Sequence, residues 1–281
     1  MEDIKIKTTD GWELDASLFT SAGARGPAVL ISGATGVPRR FYRHYAQFLA
    51  DEGASAVLTY DYRGMTGSIS QMQARSMRMS DWAVRDLPAA VETLRRLRPG
   101  ASLRGIGHSF GGQALGLSGT SGQFARYMTI AAGSGYLGNT RDAVAVTRRM
   151  NTIARPIAAV FGFLPRWAGF GEPIPAGAFE QWRRWCNSPD YFFSDSSVPE
   201  TERFGDVRLP ILVVGFEDDP WATRKSVEAL AAWYRNAAVR IHWFGTDELK
   251  HPVGHIGFFR SEHRETLWPQ LADWILHGVP A

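Results

Sequence analysis

Cysteine is almost absent from this chain: Cys186 stands alone among 281 residues, so neither an intrachain disulfide nor a cysteine-rich metal cage can form. A single thiol suits a reducing cytoplasm, which is the expected compartment. Lysine is scarce as well. Nearly all the positive charge is arginine, and Lys+Arg 31 against Asp+Glu 28 leaves a formal charge of only +3. The Arg-Arg pairs at 39/40, 95/96, 148/149 and 183/184 are scattered. Without a basic block to track a phosphate backbone, a nucleic-acid partner is not expected. No stretch approaches the roughly 18 consecutive apolar residues of a membrane span, and the opening MEDIKIKTTDGW lacks the basic and apolar regions of a secretion signal. The chain is therefore expected to be neither exported nor membrane-spanning. There is no internal repeat and no low-complexity tract.

What is present is the balance of a folded protein with a sizeable core: 44% hydrophobic, 12% aromatic and 21% charged side chains. Residues 3–8 and 12–19 alternate apolar and polar around Asp10-Gly11, which predicts an antiparallel hairpin. Short apolar runs at Ala28 to Ile31, Ala54 to Tyr60, Leu103 to Ile106, Tyr127 to Ala132, Ile211 to Val214 and Ala238 to Trp243 read as strands buried on both faces. Helical patterns separate most of them. One follows Ser80 as N-cap, carries Val84, Leu87, Val91 and Leu94 on a stripe, and is expected to kink at Pro88. Another places Val227, Leu230, Ala231 and Tyr234 on one face. The fold class is thus α/β, a mostly parallel sheet with helices on both faces. Between the strands near 127–132 and 211–214 lie some seventy residues where a crossover needs about a dozen. We read 137–207 as a helical lid or cap insertion and 1–136 with 208–281 as the core, because lids over active sites are commonly built this way.

The sharpest chemical signal is Gly107-His108-Ser109-Phe110-Gly111, a G-x-S-x-G that follows an apolar run and opens a helical one. The turn from strand to helix is so tight there that side chains in place of the glycines would strike backbone. The serine then sits at a helix amino terminus that favours a developing anion. Its plainer reading is an N-capping serine at a glycine-rich helix start, which would need no acid or histidine downstream. A serine hydroxyl is a poor nucleophile without a base, and the base needs a group to orient it. Gly215-Phe-Glu-Asp218-Asp219-Pro220-Trp221 puts two acids at the carboxyl end of a strand, where sites on such sheets lie. Asp219 is the candidate orienting acid and Asp218 the alternative; one of the two is equally readable as a helix N-cap.

Of seven histidines, only those after the last strand fit the order Ser, Asp, His. His255, between Gly254 and Ile256-Gly257, is the candidate base, and His251 is the runner-up. The two are four apart, but no H-E-x-x-H glutamate lies between them, and Pro252 and Gly254 argue for a loop, so neither metal nor cofactor is expected. The oxyanion of an acyl-transfer site is usually held by backbone amides. Those of Phe110 and of Ala34, in Ser32-Gly33-Ala34-Thr35-Gly36, are the candidates. No phosphate-binding glycine motif forms in that loop.

These pieces resemble the α/β-hydrolase superfamily. Gly107 to Gly111 resembles its nucleophile elbow, Ser32-Gly33-Ala34 stands where many members have His-Gly-x, and Asp61-Tyr62-Arg63-Gly64-Met65-Thr66-Gly67-Ser68 is similar to its D-x-R-G-x-G-x-S loop. Ser32 in place of histidine and the extra Thr66 are departures. With Gln181 to Cys186, Tyr191-Phe192-Phe193 and Gly254 to Phe258, the chain looks like a group of bacterial predicted hydrolases near the serine aminopeptidase S33-like and monoglyceride-lipase-like branches. The resemblance implies an α/β-hydrolase fold, a Ser, Asp, His triad and cleavage of an ester or amide.

The expected partner is a small acyl substrate, with self-association left open. Trp182, Trp185, Phe161 and Trp221 are candidate substrate contacts, the first two lying three apart on one helix; such a pair also serves simply to pack a lid onto its body. Ile157, Val160, Phe161, Phe163, Leu164, Trp167 and Phe170 make that region apolar, as a greasy pocket or a small core would be. The leading expectation is a serine hydrolase. Acyl transfer, carbon–carbon bond cleavage on the same triad and a catalytically silent binding protein are the rivals.

Overall fold

The computed structural model describes residues 1–65 and 69–278. Thr66, Gly67 and Ser68, the end of the D-x-R-G-type loop, lie outside the described residues. The strands are β1 (Glu2–Lys7), β2 (Glu13–Phe19), β3 (Ala28–Ser32), β4 (Ala56–Tyr60), β5 (Leu103–His108), β6 (Phe124–Ile130), a two-residue pair β7 (Phe163–Leu164) and β8 (Ile174–Pro175), then β9 (Pro210–Phe216) and β10 (Ala238–Phe244). Eight of them form one sheet in the order β1-β2-β4-β3-β5-β6-β9-β10. β2 pairs antiparallel with both β1 and β4, and every pairing from β4 to β10 is parallel. The hairpin turns where expected: Gly11 takes a φ of 89° that a side chain disfavours, and the Thr8 hydroxyl accepts the Trp12 N–H at 2.9 Å.

β3 and β4 are buried along their whole length, as residues covered on both faces must be. β10 is different. It was expected to be buried on both faces, but it pairs only with β9 and leaves most of its residues exposed or half-buried, Ile241 among the exposed. A β-branched run reads alike in the middle and at the rim of a sheet, and Arg240 marks the rim.

The helices are α1 (Arg43–Asp51), α2 (Gln71–Ser76), α3 (Met79–Asp81), α4 (Leu87–Leu97), α5 (Phe110–Ser118), α6 (Ala143–Arg148), α7 (Arg155–Phe161), α8 (Ala176–Cys186), α9 (Arg224–Ala231) and α10 (Trp268–His277). They flank the sheet, with Tyr45 and Phe48 of α1 packed on Trp268 of α10 at 5.1 and 5.3 Å between ring centroids. Ser80 does not cap its helix. The Asp81 carboxylate accepts the Arg78 N–H at 2.9 Å one turn earlier, and the chain runs through a wide π-helical turn, Trp82–Asp86, into α4. Pro88 has no N–H to donate, and the wide turn takes up the missing bond. Leu87, Val91 and Leu94 are buried as the stripe requires, and Val84 half-buried. Likewise, Val227, Leu230 and Tyr234 are buried from α9 onward.

Residues 131–209 join β6 to β9 and carry α6, a π-helical stretch (Arg149–Ala154), α7, the β7–β8 pair and α8. Of the apolar side chains of α7 and its exit, Phe170 lines a cavity beside the sheet edge, Leu164 is buried and Ile157 packs against the core. Val160, Phe161, Phe163 and Trp167 are exposed, with Phe161 edge-on to Trp167 at 6.2 Å, because the short α7 turns only Ala158 fully inward. Among the described residues no helix is long and apolar enough to cross a membrane.

Candidate active site

The chemistry-bearing loops all leave the carboxyl ends of parallel strands, the edge where such sheets collect ligands. Ser109 follows β5 and enters α5 with φ 49° and ψ −112°. This is a costly conformation for a residue with a side chain, on the order of 1–3 kcal/mol. Surrounding bonds hold it: Ser109 N–H donates to the Ile130 carbonyl at 3.0 Å, and Ser109 C=O accepts Gly112 N–H at 3.0 Å. Side chains at Gly107 and Gly111 are impossible here. A Cβ at Gly107 would overlap the Gly111 carbonyl, and one at Gly111 would overlap the Ser32 carbonyl. The elbow therefore has the tightness expected of its spacing.

His255 Nε2 lies 3.0 Å from Ser109 Oγ, and its Nδ1 lies 2.9 Å from Asp219 Oδ2. Asp219 is buried. Its other oxygen accepts the N–H groups of Trp221 at 2.7 Å and Ala222 at 2.9 Å. Burial opposes its charge, but His255 and these hydrogen bonds outweigh burial and hold the carboxyl below its ordinary pKa. Asp218 faces elsewhere: its Oδ2 accepts the Val253 N–H at 2.7 Å, steadying the loop that carries His255. His251 stacks edge-on with His263 at 6.3 Å and does not reach the serine.

Phe110 opens α5, so its N–H has no carbonyl a turn behind it within the helix. Its ring packs edge-on against Trp82 and Tyr62, each at 5.8 Å. Tyr62 also donates its hydroxyl to the Gly33 carbonyl at 3.0 Å. Arg63, buried and bonded to Asp86 and Asp10, fixes this wall through its carbonyl, which accepts Trp82 Nε1–H at 3.1 Å. The Ala34 N–H donates to the Tyr42 hydroxyl at 2.8 Å.

A cavity of about 400 Å³ opens on Ser109 and His255. Trp182 and Trp221 line it, their rings 6.5 Å apart and 23° from parallel, and Trp221 is 6.4 Å from the His255 ring. Phe170, Tyr191 and Gln113 complete much of the wall. Trp185 and Phe161 are not brought to it. Trp185 is buried behind α8, where its indole N–H donates to Asp195 at 2.7 Å, and Phe161 lies on the exposed patch. Sequence reasoning gave no role to Gln113, whose amide N–H donates to Gly133 C=O at 2.8 Å while its oxygen accepts the Tyr191 hydroxyl at 3.1 Å. A polar residue four places after the serine inside an apolar helix was the available signal. Cys186 also borders the cavity, and burial raises its thiol pKa well beyond the usual range, so it stays protonated.

The profile of the alpha/beta hydrolase family matches residues 28–267. No curated protein matches the sequence. Among solved structures, an esterase from Exiguobacterium antarcticum superposes with a TM-score of 0.64 at 15% identity, over 98% of this chain and 99% of that one. Est1E from Butyrivibrio proteoclasticus, solved with ferulic acid bound, gives 0.63 at 15% identity over 96% and 97%. The Pyrococcus furiosus esterase Pf2001 gives 0.59 at 14% identity over 97% and 90%. At such identities the likeness is one of fold.

Proposed function

The chain belongs to the alpha/beta hydrolase family, and from that premise we propose that it is a serine hydrolase cleaving carboxylic esters through an acyl-enzyme. The observation that carries the proposal is the unbroken line of hydrogen bonds from Asp219 through His255 to Ser109. Ser109 Oγ attacks the ester carbonyl carbon while its proton passes to His255 Nε2, and Asp219 steadies the imidazolium. The Phe110 N–H receives the oxyanion. The Ala34 N–H, which donates to the Tyr42 hydroxyl at 2.8 Å, is the candidate second donor beside it. The tetrahedral intermediate collapses, the carbon–oxygen bond to the alcohol breaks, and His255 returns the proton to the leaving alkoxide. Water, deprotonated by His255, then attacks the acyl-serine ester and releases the acid.

The segment 137–207 acts as the cap in this reading, since Phe170, Trp182 and Tyr191 from it wall the cavity beside the nucleophile. About 400 Å³ lies near the lower end of the roughly 300–1,000 Å³ of small-molecule pockets, which favours a short or medium acyl group or a single aromatic ring. The facing indoles of Trp182 and Trp221 favour an apolar or aromatic group. Est1E, with its bound ferulic acid, makes hydroxycinnamate esters worth including among the test substrates.

The test is turnover of p-nitrophenyl esters of rising chain length and of methyl hydroxycinnamates by the parent and by Ser109→Ala. Hydrolysis by the parent that Ser109→Ala abolishes supports the proposal. A folded parent that releases no product from any ester, or an equally active Ser109→Ala, overturns it.

A further inference from the structure

We infer that His108, the residue between Gly107 and the nucleophile, is a positioning residue for catalysis: it holds the backbone of His255, and Tyr42 supports the tautomer in which it does so. The inference rests on the triad proposed above and extends it to two residues outside the triad.

The direction of every bond in this arrangement follows from one carbonyl. His108 Nε2 lies 2.7 Å from the His255 carbonyl oxygen. A carbonyl only accepts, so Nε2 carries a proton. His108 is wholly buried, and that burial, reinforced by the neighbouring His255 charge, holds its pKa down at about 3. The ring is therefore neutral, and Nδ1 is a bare acceptor. Tyr42 Oη stands 2.9 Å from Nδ1, so the phenol donates to it. Burial raises the Tyr42 pKa, which keeps that proton in place. The phenol oxygen in turn accepts the Ala34 N–H at 2.8 Å. Phe259 closes the arrangement edge-on to Tyr42 at 4.7 Å and against His108 at 5.0 Å.

The result is a continuous line of hydrogen bonds beneath the nucleophile, from the loop after β3 to the loop after β10. His255 needs such an anchor. It lies beyond the end of β10 at Phe244, on a stretch of turns and bends without a helix or strand. Asp218 ties that loop at Val253, two residues away, whereas His108 ties the peptide of His255 itself. The imidazole must meet Asp219 and Ser109 at once, and a displacement of 1 Å at a reacting group costs about a hundredfold in rate. The position requires a donor and an acceptor on opposite sides of a small planar group. Histidine supplies both and glutamine can keep the donor, but leucine, of similar bulk, supplies neither.

The test compares p-nitrophenyl acetate hydrolysis and fluorophosphonate labelling rates in the parent, His108→Leu, His108→Gln and Tyr42→Phe, with near-ultraviolet circular dichroism to establish folding. His108→Leu is expected to lower kcat by about ten- to a hundredfold with KM within about twofold. His108→Gln should recover most of the rate, and Tyr42→Phe should fall between the two.

A labelled parent with His108→Leu within twofold of it in kcat overturns this inference alone. Leu and Gln variants equally depressed also overturn it, since that is the mark of a merely structural role. If His108→Leu does not fold, the rate of Tyr42→Phe against that of His108→Gln decides between the same outcomes. A folded parent that does not label at all overturns the triad proposal itself and this inference with it.

Discussion

Replacing Asp219 by asparagine should nearly abolish activity through the position of a single proton. Asp219 Oδ1 accepts two backbone N–H groups, from Trp221 at 2.7 Å and Ala222 at 2.9 Å, while Oδ2 faces His255 Nδ1 at 2.9 Å. An asparagine has one oxygen and one NH2 to place in those two positions. Turning the NH2 toward Trp221 and Ala222 would set donors against donors, and each buried bond left unmade costs about 1–3 kcal/mol. The oxygen therefore stays with the backbone, and the NH2 faces His255. It then donates to Nδ1, which drives the ring proton onto Nε2, the nitrogen that must accept from Ser109. The fold is intact and the base is blocked. The loss expected for such a reversed tautomer is about 10⁴-fold in kcat, or about 5.5 kcal/mol in the barrier. Asp218→Asn is the internal control. Its Oδ2 holds the Val253 N–H at 2.7 Å, a bond an amide oxygen keeps. Its Oδ1 is buried with no partner among the described residues, so an NH2 there breaks nothing, and the loss should stay under about tenfold. Initial rates of p-nitrophenyl acetate hydrolysis near neutral pH measure both. Asp219→Asn within tenfold of the parent, or Asp218→Asn as damaging as Asp219→Asn, refutes the reasoning.

Other outcomes follow from the same geometry. Gly111→Ala should lose activity and at least about 1–3 kcal/mol of stability, because its Cβ overlaps the Ser32 carbonyl; Gly122→Ala, with open space around its Cβ, should melt with the parent. The neutral His108 should make part of the stability acid-sensitive. Its folded pKa of about 3 lies below the ordinary 6.5, so this contribution is whole above about pH 6.5 and declines as pH falls toward 3, by about 1.4 kcal/mol per unit. His255 and Asp219, the titratable groups that act on His108, remain in His108→Gln. That variant should therefore lose about 2 kcal/mol less than the parent in urea unfolding between pH 7 and pH 5, and equal losses would contradict the assignment. Trp182→Ala should raise KM for aromatic and medium-chain esters by more than about tenfold while sparing the acetate. Trp185→Ala should instead lower the melting temperature, as loss of a buried indole costs about 3–5 kcal/mol, and reversal of that pattern would mean the two tryptophans have been assigned to the wrong sides of α8.

Much of this site was legible because its chemistry constrains local sequence. Glycines on either side of Ser109 are needed for one turn, and that need shows in five consecutive letters. The acid and the base had to follow in order at strand ends, which left two aspartates and a few histidines. Distances then separate Asp219 from Asp218, a choice that depends on which way each side chain leaves one loop. Tyr42 and His108 could not be paired from the sequence, being 66 residues apart and joined only where the turn before α1 meets the end of β5. Trp182 and Trp185 lie three apart on α8, yet one borders the cavity and the other is buried behind it. Helical periodicity fixes their separation but not which part of the apolar stripe meets the site. The exposure of β10 and of the Phe161–Trp167 patch depends on neighbours that no local pattern specifies.

The most direct test of the central claim is the intact mass of the purified protein after treatment with a fluorophosphonate, beside Ser109→Ala. The account predicts a single adduct on the parent, mapped to Ser109, and none on the variant. A folded parent that stays at its unmodified mass, or a Ser109→Ala variant that gains the same adduct, would contradict it.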